Sequence, residues 1–159
     1  MRDGQTKTIF LKDYKVPDYL IDHTDLHFIL AEDVTEVRSC LRVRKNPESA
    51  SADVPLVLDG QDMELKTLKV DGTMLAPEDY SVGDETLTIK KLPDNFTLEC
   101  VTLIRPQSNT SLEGLYKSRA MFCTQCEAEG FRKITYYLDR PDVMSTFTTT
   151  IVADKKRYP

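Results

Sequence analysis

The chain has 159 residues, 40% of them apolar and 30% charged, with a formal net charge of −5 and a pI near 5.1. That is enough for one domain with a buried core, and the acidic balance excludes the basic stripe that a nucleic-acid partner requires. Arg38, Arg42 and Arg44 come nearest to such a stripe, but Glu32, Asp33 and Glu36 dilute them, so they read as a solvated strand face.

Met1 to Phe10 lacks the apolar core of a secretory signal, and no later run approaches the about 20 residues of a membrane span, so a cytoplasmic protein with no membrane partner is expected. From there the apolar period is two. Leu26, Phe28 and Leu30 alternate with Asp25, His27 and Ile29, and Val37, Leu41 and Val43 alternate with Arg38, Cys40, Arg42 and Arg44. Alternation of this kind predicts half-buried strands. Asn46 to Asp53 is polar and Ser/Ala-rich, which predicts a surface loop before the strand holding Val54, Leu56 and Leu58. Asp59-Gly60, Asp71-Gly72 and Gly83-Asp84 each stand between apolar runs, as antiparallel hairpins require. Leu87 and Ile89, then Phe96, Leu98 and Cys100, and finally Phe147 to Ala153 extend the pattern. Helix is expected only near 127–138, where Phe131, Ile134 and Leu138 give about two turns of helical spacing before Pro141 disfavours more. The expected fold is all-β, an antiparallel β-sandwich or saddle with that one short helix, in a single domain over residues 1–159.

Between the last two runs the chain packs Cys123-Thr124-Gln125-Cys126-Glu127-Ala128-Glu129-Gly130-Phe131-Arg132. Two cysteines, an amide, two carboxylates and an arginine stand where a chain built only for folding needs a short turn. The two cysteines form a lone CxxC without the βαβ context of a redox motif or the four ligands of a structural zinc site. Cys40 and Cys100 lie in strands and read as small buried hydrophobes. His23, Asp25 and His27 alternate on one strand face, a spacing at which side chains can converge on a metal, but a polar outer face explains them as well. Gln125 and Glu127 are two positions apart in an extended segment, so an amide oxygen and a carboxylate can meet one small cation such as an ammonium. A glutamate opening a short helix also satisfies the helix dipole, and on spacing alone both readings stand.

Gly114-Leu115-Tyr116, the run Met121 to Arg132, the run Ile134 to Val143, and Ala153-Asp154-Lys155 with Tyr158-Pro159 together resemble the zinc-dependent gluzincin aminopeptidases of the bacterial aminopeptidase N type. Asp13-Tyr14 with Pro17-Asp18-Tyr19, and Leu92-Pro93 with Phe96-Thr97-Leu98, fit the same family. The resemblance implies the N-terminal β-saddle domain of a longer enzyme that removes single residues from peptide N-termini, broadly and with alanine, lysine or arginine favoured. By motif position Gln125 and Glu127 match the residues that bind the substrate's α-amine. The family's H-E-x-x-H motif is absent here, so zinc is expected in the full-length enzyme and none in this piece, which should be inactive alone. The implied partners are a peptide N-terminus and the catalytic domain of the same chain. Arg119-Ala120 departs from the smaller or glycine-containing pairs that family members carry at that place. An alternative is a free-standing β-sandwich interaction module, which would leave no apolar face uncovered. The longer enzyme should instead leave an exposed apolar patch near Gln125 to Asp142.

Overall fold

The computed structural model describes residues 10–49 and 54–158. The two longest alternating runs become β1 (Tyr19–Ile29) and β2 (Thr35–Lys45), which pair antiparallel along almost their whole length. Beyond β2 lie β8 (Asn95–Ile104), β4 (Glu64–Val70) and the short β5 (Thr73–Met74), and beyond β1 lies β11 (Thr146–Val152), giving the six-stranded order β11-β1-β2-β8-β4-β5. A three-stranded sheet joins β3 (Leu56–Asp59), β7 (Thr86–Ile89) and β6 (Tyr80–Val82), and β9 (Gly114–Ser118) with β10 (Met121–Gln125) forms a separate hairpin.

Alternate residues of a strand share a face, and Val37, Leu41 and Val43 of β2 are all buried on one face. Leu41 and Val43 pack with Leu56, Leu58, Leu87 and Ile89 of the three-stranded sheet, while Val37 packs with Leu115 of the hairpin and Ile134. Both small sheets therefore cover the same face of the large one, side by side, and the molecule is a β-sandwich with a divided second layer. A bulge between Ile21 and His23 lets Tyr19 and Ile21 share that buried face with Thr24, Leu26 and Phe28. Each fully buried leucine or isoleucine contributes about 1.5–3 kcal/mol. The opposite face keeps Arg38 paired with Glu36 and Arg44 with Asp22, the solvated surface expected of these arginines.

Turn chemistry is realised at two of the three expected hairpins. Asp71 and Gly72 both have positive φ, +49° and +77°, and join Val70 to Thr73 in a two-residue turn that matches the twist of its strands. Gly83 closes the β6–β7 turn by donating its N–H to the Thr86 carbonyl at 2.8 Å. Asp59-Gly60 is not a hairpin: it carries the chain from the three-stranded sheet into the large one, and its glycine is needed because a Cβ there would lie 2.2 Å from the Tyr136 ring. The loop after β2 is held by buried Asn46, whose side chain donates to the Pro17 carbonyl and accepts from the Glu48 N–H; residues 50–53 of that loop lie outside the described residues.

The short helix near 127–138 is a single 3-10 turn, Phe131–Lys133, and not two turns of α-helix. Tertiary pairing overrides the helical spacing. Tyr137 exchanges backbone hydrogen bonds with Asp59 at 2.8 and 3.0 Å, which demands an extended chain, and Ile134, Thr135, Tyr136, Tyr137 and Leu138 are all buried rather than one stripe of them. The last strand also departs from the antiparallel expectation, because β11 runs parallel to β1. No helix among the described residues is long and apolar enough to cross a membrane.

Candidate functional site

Hairpin β9–β10 presents the polar segment. Its strands are joined by Arg119-Ala120, and Arg119 takes φ +56°, a left-handed conformation that costs a residue with a Cβ roughly 1–2 kcal/mol. Part of that is recovered by glycine, whose own entropy cost is smaller, so Arg119→Gly should raise stability by about 0.5–1 kcal/mol, measured as a shift of the denaturant midpoint at constant slope.

The strand ends at Gln125, paired with Gly114 across the hairpin. The chain then turns back on itself: the Gly130 N–H donates to the Cys126 carbonyl at 2.8 Å, and the Glu127–Ala128 peptide bond is cis. Two glycines let this loop close against β9. A Cβ on Gly130 would lie 2.6 Å from the Gln125 carbonyl oxygen, 3.0 Å from Cys126 Cα and 3.1 Å from the Gly114 nitrogen. Gly114, at φ +69°, would in turn drive a Cβ to within 2.6 Å of Lys133 Cβ. Neither side chain would fit without backbone movement.

Arg132 anchors the far side of the loop. Its backbone N–H and Nε both donate to Asp139 Oδ2, at 3.1 and 3.0 Å, and its guanidinium also reaches Glu129 at 3.5 Å and Asp59 at 3.9 Å. Burial opposes the charge on Arg132, but the Asp139 hydrogen bond and the carboxylates of Asp59 and Glu129 outweigh it and raise its pKa. Burial also pushes the Asp59 carboxyl up, with Arg132 pulling the other way. Lys133 is tied to Asp62 at 2.8 Å, and the Arg132 carbonyl accepts from the Gln61 N–H at 2.8 Å. The turn is thus fastened to the three-stranded sheet and to the connection that leaves it.

On this support Gln125 and Glu127 are both exposed, and neither side chain has a hydrogen-bond or ion-pair partner among the described residues. Glu127 caps no helix, since the only helical turn nearby begins at Phe131 and draws no side-chain cap. Gln125 closes β10, while Glu127 stands on the turn after it and not in the extended segment expected; both are exposed, and an amide oxygen and a carboxylate are the kinds of group that take a small cation.

The other candidate groups do not join them. His23 lies against Thr146 at 2.8 Å and Asp25 at 3.3 Å on the outer face of the large sheet, opposite Leu26 and Phe28. No group of three or more His, Cys, Asp or Glu among the described residues could hold a metal ion, so these residues do not fit a zinc site. Cys123 and Cys126 are free thiols, and burial raises the pKa of Cys126, which disfavours the thiolate that metal or redox chemistry needs. Cys100 is buried, its pKa pushed up to about 12, whereas Cys40 is only half-buried because it faces outward from β2.

The apolar surface expected near Gln125 to Asp142 is shifted toward β11, where Cys126, Phe131 and Ile134 line an apolar groove together with Phe147 and Ile151. Ile134, Tyr136, Tyr137, Leu138 and Val143 fill this chain's own core, and the large exposed hydrophobics instead include Met121, Met144, Phe147, Ile151 and Val152. Residue reading alone gave no supporting role to Gly114, Gly130 or Arg132, although Arg132 stood out in the dense polar segment. The visible signal was a glycine on each side of the CxxC segment.

The Peptidase M1 N-terminal domain family matches residues 7–158, nearly the whole chain. The chain belongs to that family. Aminopeptidase N of Escherichia coli (strain K12) is 44% identical over 155 residues, covering 98% of this chain and 17% of the relative. Aminopeptidase N of Caulobacter vibrioides is 44% identical over 156 residues, covering 98% and 18%. The chain therefore spans less than a fifth of the length of these relatives. Among solved structures, Legionella pneumophila aminopeptidase A in complex with aspartic acid superposes with a TM-score of 0.85 at 34% identity, over 92% of this chain and 17% of that one. An M1 zinc metallopeptidase from Deinococcus radiodurans shares the fold, with a TM-score of 0.67 at 18% identity over 84% of this chain and 32% of that one. This M1 N-terminal domain has Gln125 at the open end of the β9–β10 hairpin, where β10 finishes, and Glu127 on the turn that follows.

Proposed function

We propose that this domain belongs to a zinc metallo-aminopeptidase that removes single residues from peptide N-termini, and that Gln125 and Glu127 hold the substrate's α-ammonium. The observation that carries the reading is that Gln125 at the end of β10 and Glu127 on the turn closed by Gly114, Gly130 and Arg132 are both exposed and uncommitted. An α-amine has a pKa of about 8 and is mostly protonated at neutral pH, so a carboxylate with an adjacent amide oxygen is a matched receptor. Holding the ammonium fixes the register: only the first peptide bond can then lie at a hydrolytic centre supplied by the rest of the polypeptide. The zinc belongs to residues outside this chain, and this domain contributes substrate orientation. A cytoplasmic location is part of the same proposal.

In the full-length protein, a peptide with a free N-terminus should lose residues one at a time, and the same peptide acetylated at its N-terminus should not be cut. Chromatography of the digest with time measures both. Cleavage of the acetylated peptide at a comparable rate would remove the amine as the registering group.

A further inference from the structure

The β9–β10 hairpin shares no ladder with either larger sheet, and a lone two-stranded hairpin is marginal by itself. Leu115 buries its Gln125 end in the core, but toward the loop Ser118 is exposed and Met121 is 62% exposed. That half is held by partly buried Phe122 and by a cluster gathered on one carboxylate, Glu32, in the connection between β1 and β2. Lys117 Nζ donates to Glu32 Oε2 at 2.8 Å, the Tyr158 hydroxyl donates to Oε1 at 2.8 Å, and the Arg157 guanidinium lies 2.9 Å from Oε1. Lys117 and Phe122 stand opposite each other across the hairpin, with the ammonium 5.3 Å from the centre of the Phe122 ring and 5.8 Å from that of Tyr158. The two ring centres are 5.2 Å apart.

Exposed ion pairs usually contribute little, because two flexible side chains must be held in place and water competes for both. Here the partners are already constrained. The Lys117 side chain is only 14% exposed and lies over two aromatic faces that favour a cation. Tyr158 belongs to a closed turn, its backbone N–H donating to the Asp154 carbonyl at 2.8 Å. One carboxylate thus joins three segments remote in sequence: the β1–β2 connection, the hairpin and the turn after β11.

We propose that Glu32 is a positioning residue: by clamping Lys117 and Tyr158 it locks the hairpin that ends in Gln125 to the chain that follows β11, and so sets where the ammonium receptor stands relative to the hydrolytic centre. The inference rests on Gln125 and Glu127 holding the ammonium. The domain takes up less than a fifth of its aminopeptidase N relatives, so receptor and hydrolytic centre belong to different parts of one polypeptide and have to be kept in register. Phe122 precedes Gln125 on the same strand and its ring meets that of Tyr158, which makes the cluster a short, stiff path from the receptor to the following chain. Glu32 itself acts through the hairpin and meets no substrate.

Two competitive inhibitors that differ only in having or lacking the α-amine, measured on the full-length protein, give a ratio of Ki values that reports how well the ammonium is seated. In Glu32→Ala this ratio should fall by about three- to tenfold, more than a plain surface ion pair explains and less than the about hundredfold that a 1 Å misplacement can cost. Tyr158→Phe keeps the ring over Lys117 and removes one oxygen; it should lower the ratio by about twofold or more, and it stands in for Glu32→Ala should that variant not fold. A role confined to stability would reduce the amount of active enzyme, and with it the apparent kcat, without moving the ratio. A wild-type ratio in these variants, beside one that collapses in Glu127→Ala, would overturn the positioning role alone. A ratio unmoved in Glu127→Ala would overturn the ammonium reading beneath it.

Discussion

Replacing Glu127 by alanine in the full-length protein should lower kcat/KM for substrates with a free N-terminus by roughly ten- to two-hundred-fold, because a hydrogen bond to a charged group contributes about 1.5–3 kcal/mol. Zinc content and thermal stability should stay at wild-type values, since the side chain is exposed and makes no hydrogen bond or ion pair among the described residues. The division between kcat and KM is informative. A loss confined to KM means that the ammonium is held equally in the ground and transition states, whereas a fall in kcat means that the grip tightens as the bond breaks. Glu127→Gln keeps a carbonyl oxygen without the charge and should fall between the two. Undiminished kcat/KM in the alanine variant would refute the assigned role.

Gly130→Ala should do comparable damage without touching any group that meets substrate. Its methyl would sit 2.6 Å from the Gln125 carbonyl oxygen and 3.0 Å from Cys126 Cα, and both are backbone atoms that no rotamer change can move. The turn bearing Glu127 must shift, and a displacement of about 1 Å at an orienting group can cost on the order of a hundredfold in rate. The same overpacking should cost about 1–3 kcal/mol of stability. A steady-state assay beside a denaturant melt separates the two effects: in the Glu127→Ala background the melting loss should persist while the further loss of activity should shrink, because both substitutions disable one contact. Full additivity in kcat/KM would mean that Gly130 acts by another route.

The fold was largely legible because its three longest strands are buried on one face only. Period-two alternation from Leu26 to Arg44 and from Phe96 to Cys100 marks such strands directly, and Asp71-Gly72 names its own turn. Residues that serve partners distant in sequence were less readable. Tyr137 is extended because Asp59 pairs with it, and Gly60 is small because Tyr136 sits over it; neither contact leaves a local pattern. The spacing of Phe131, Ile134 and Leu138 imitated a helix for the same reason, since each enters the core from its own direction. At the site, Gln125 and Glu127 were singled out as a pair by their two-residue spacing. What holds them was hidden, because Gly114 and Gly130 meet only after the hairpin and the turn have formed.

The central claim is that this domain's carboxylate grips an ammonium. A pair of competitive inhibitors, identical but for the presence or absence of the α-amine, measured against the full-length wild type and Glu127→Ala, isolates that contact. Deleting the amine should weaken wild-type binding by at least about tenfold and weaken the variant's by less than about threefold, since the variant has already lost the partner. An equal loss in both proteins would show that the amine is held somewhere else.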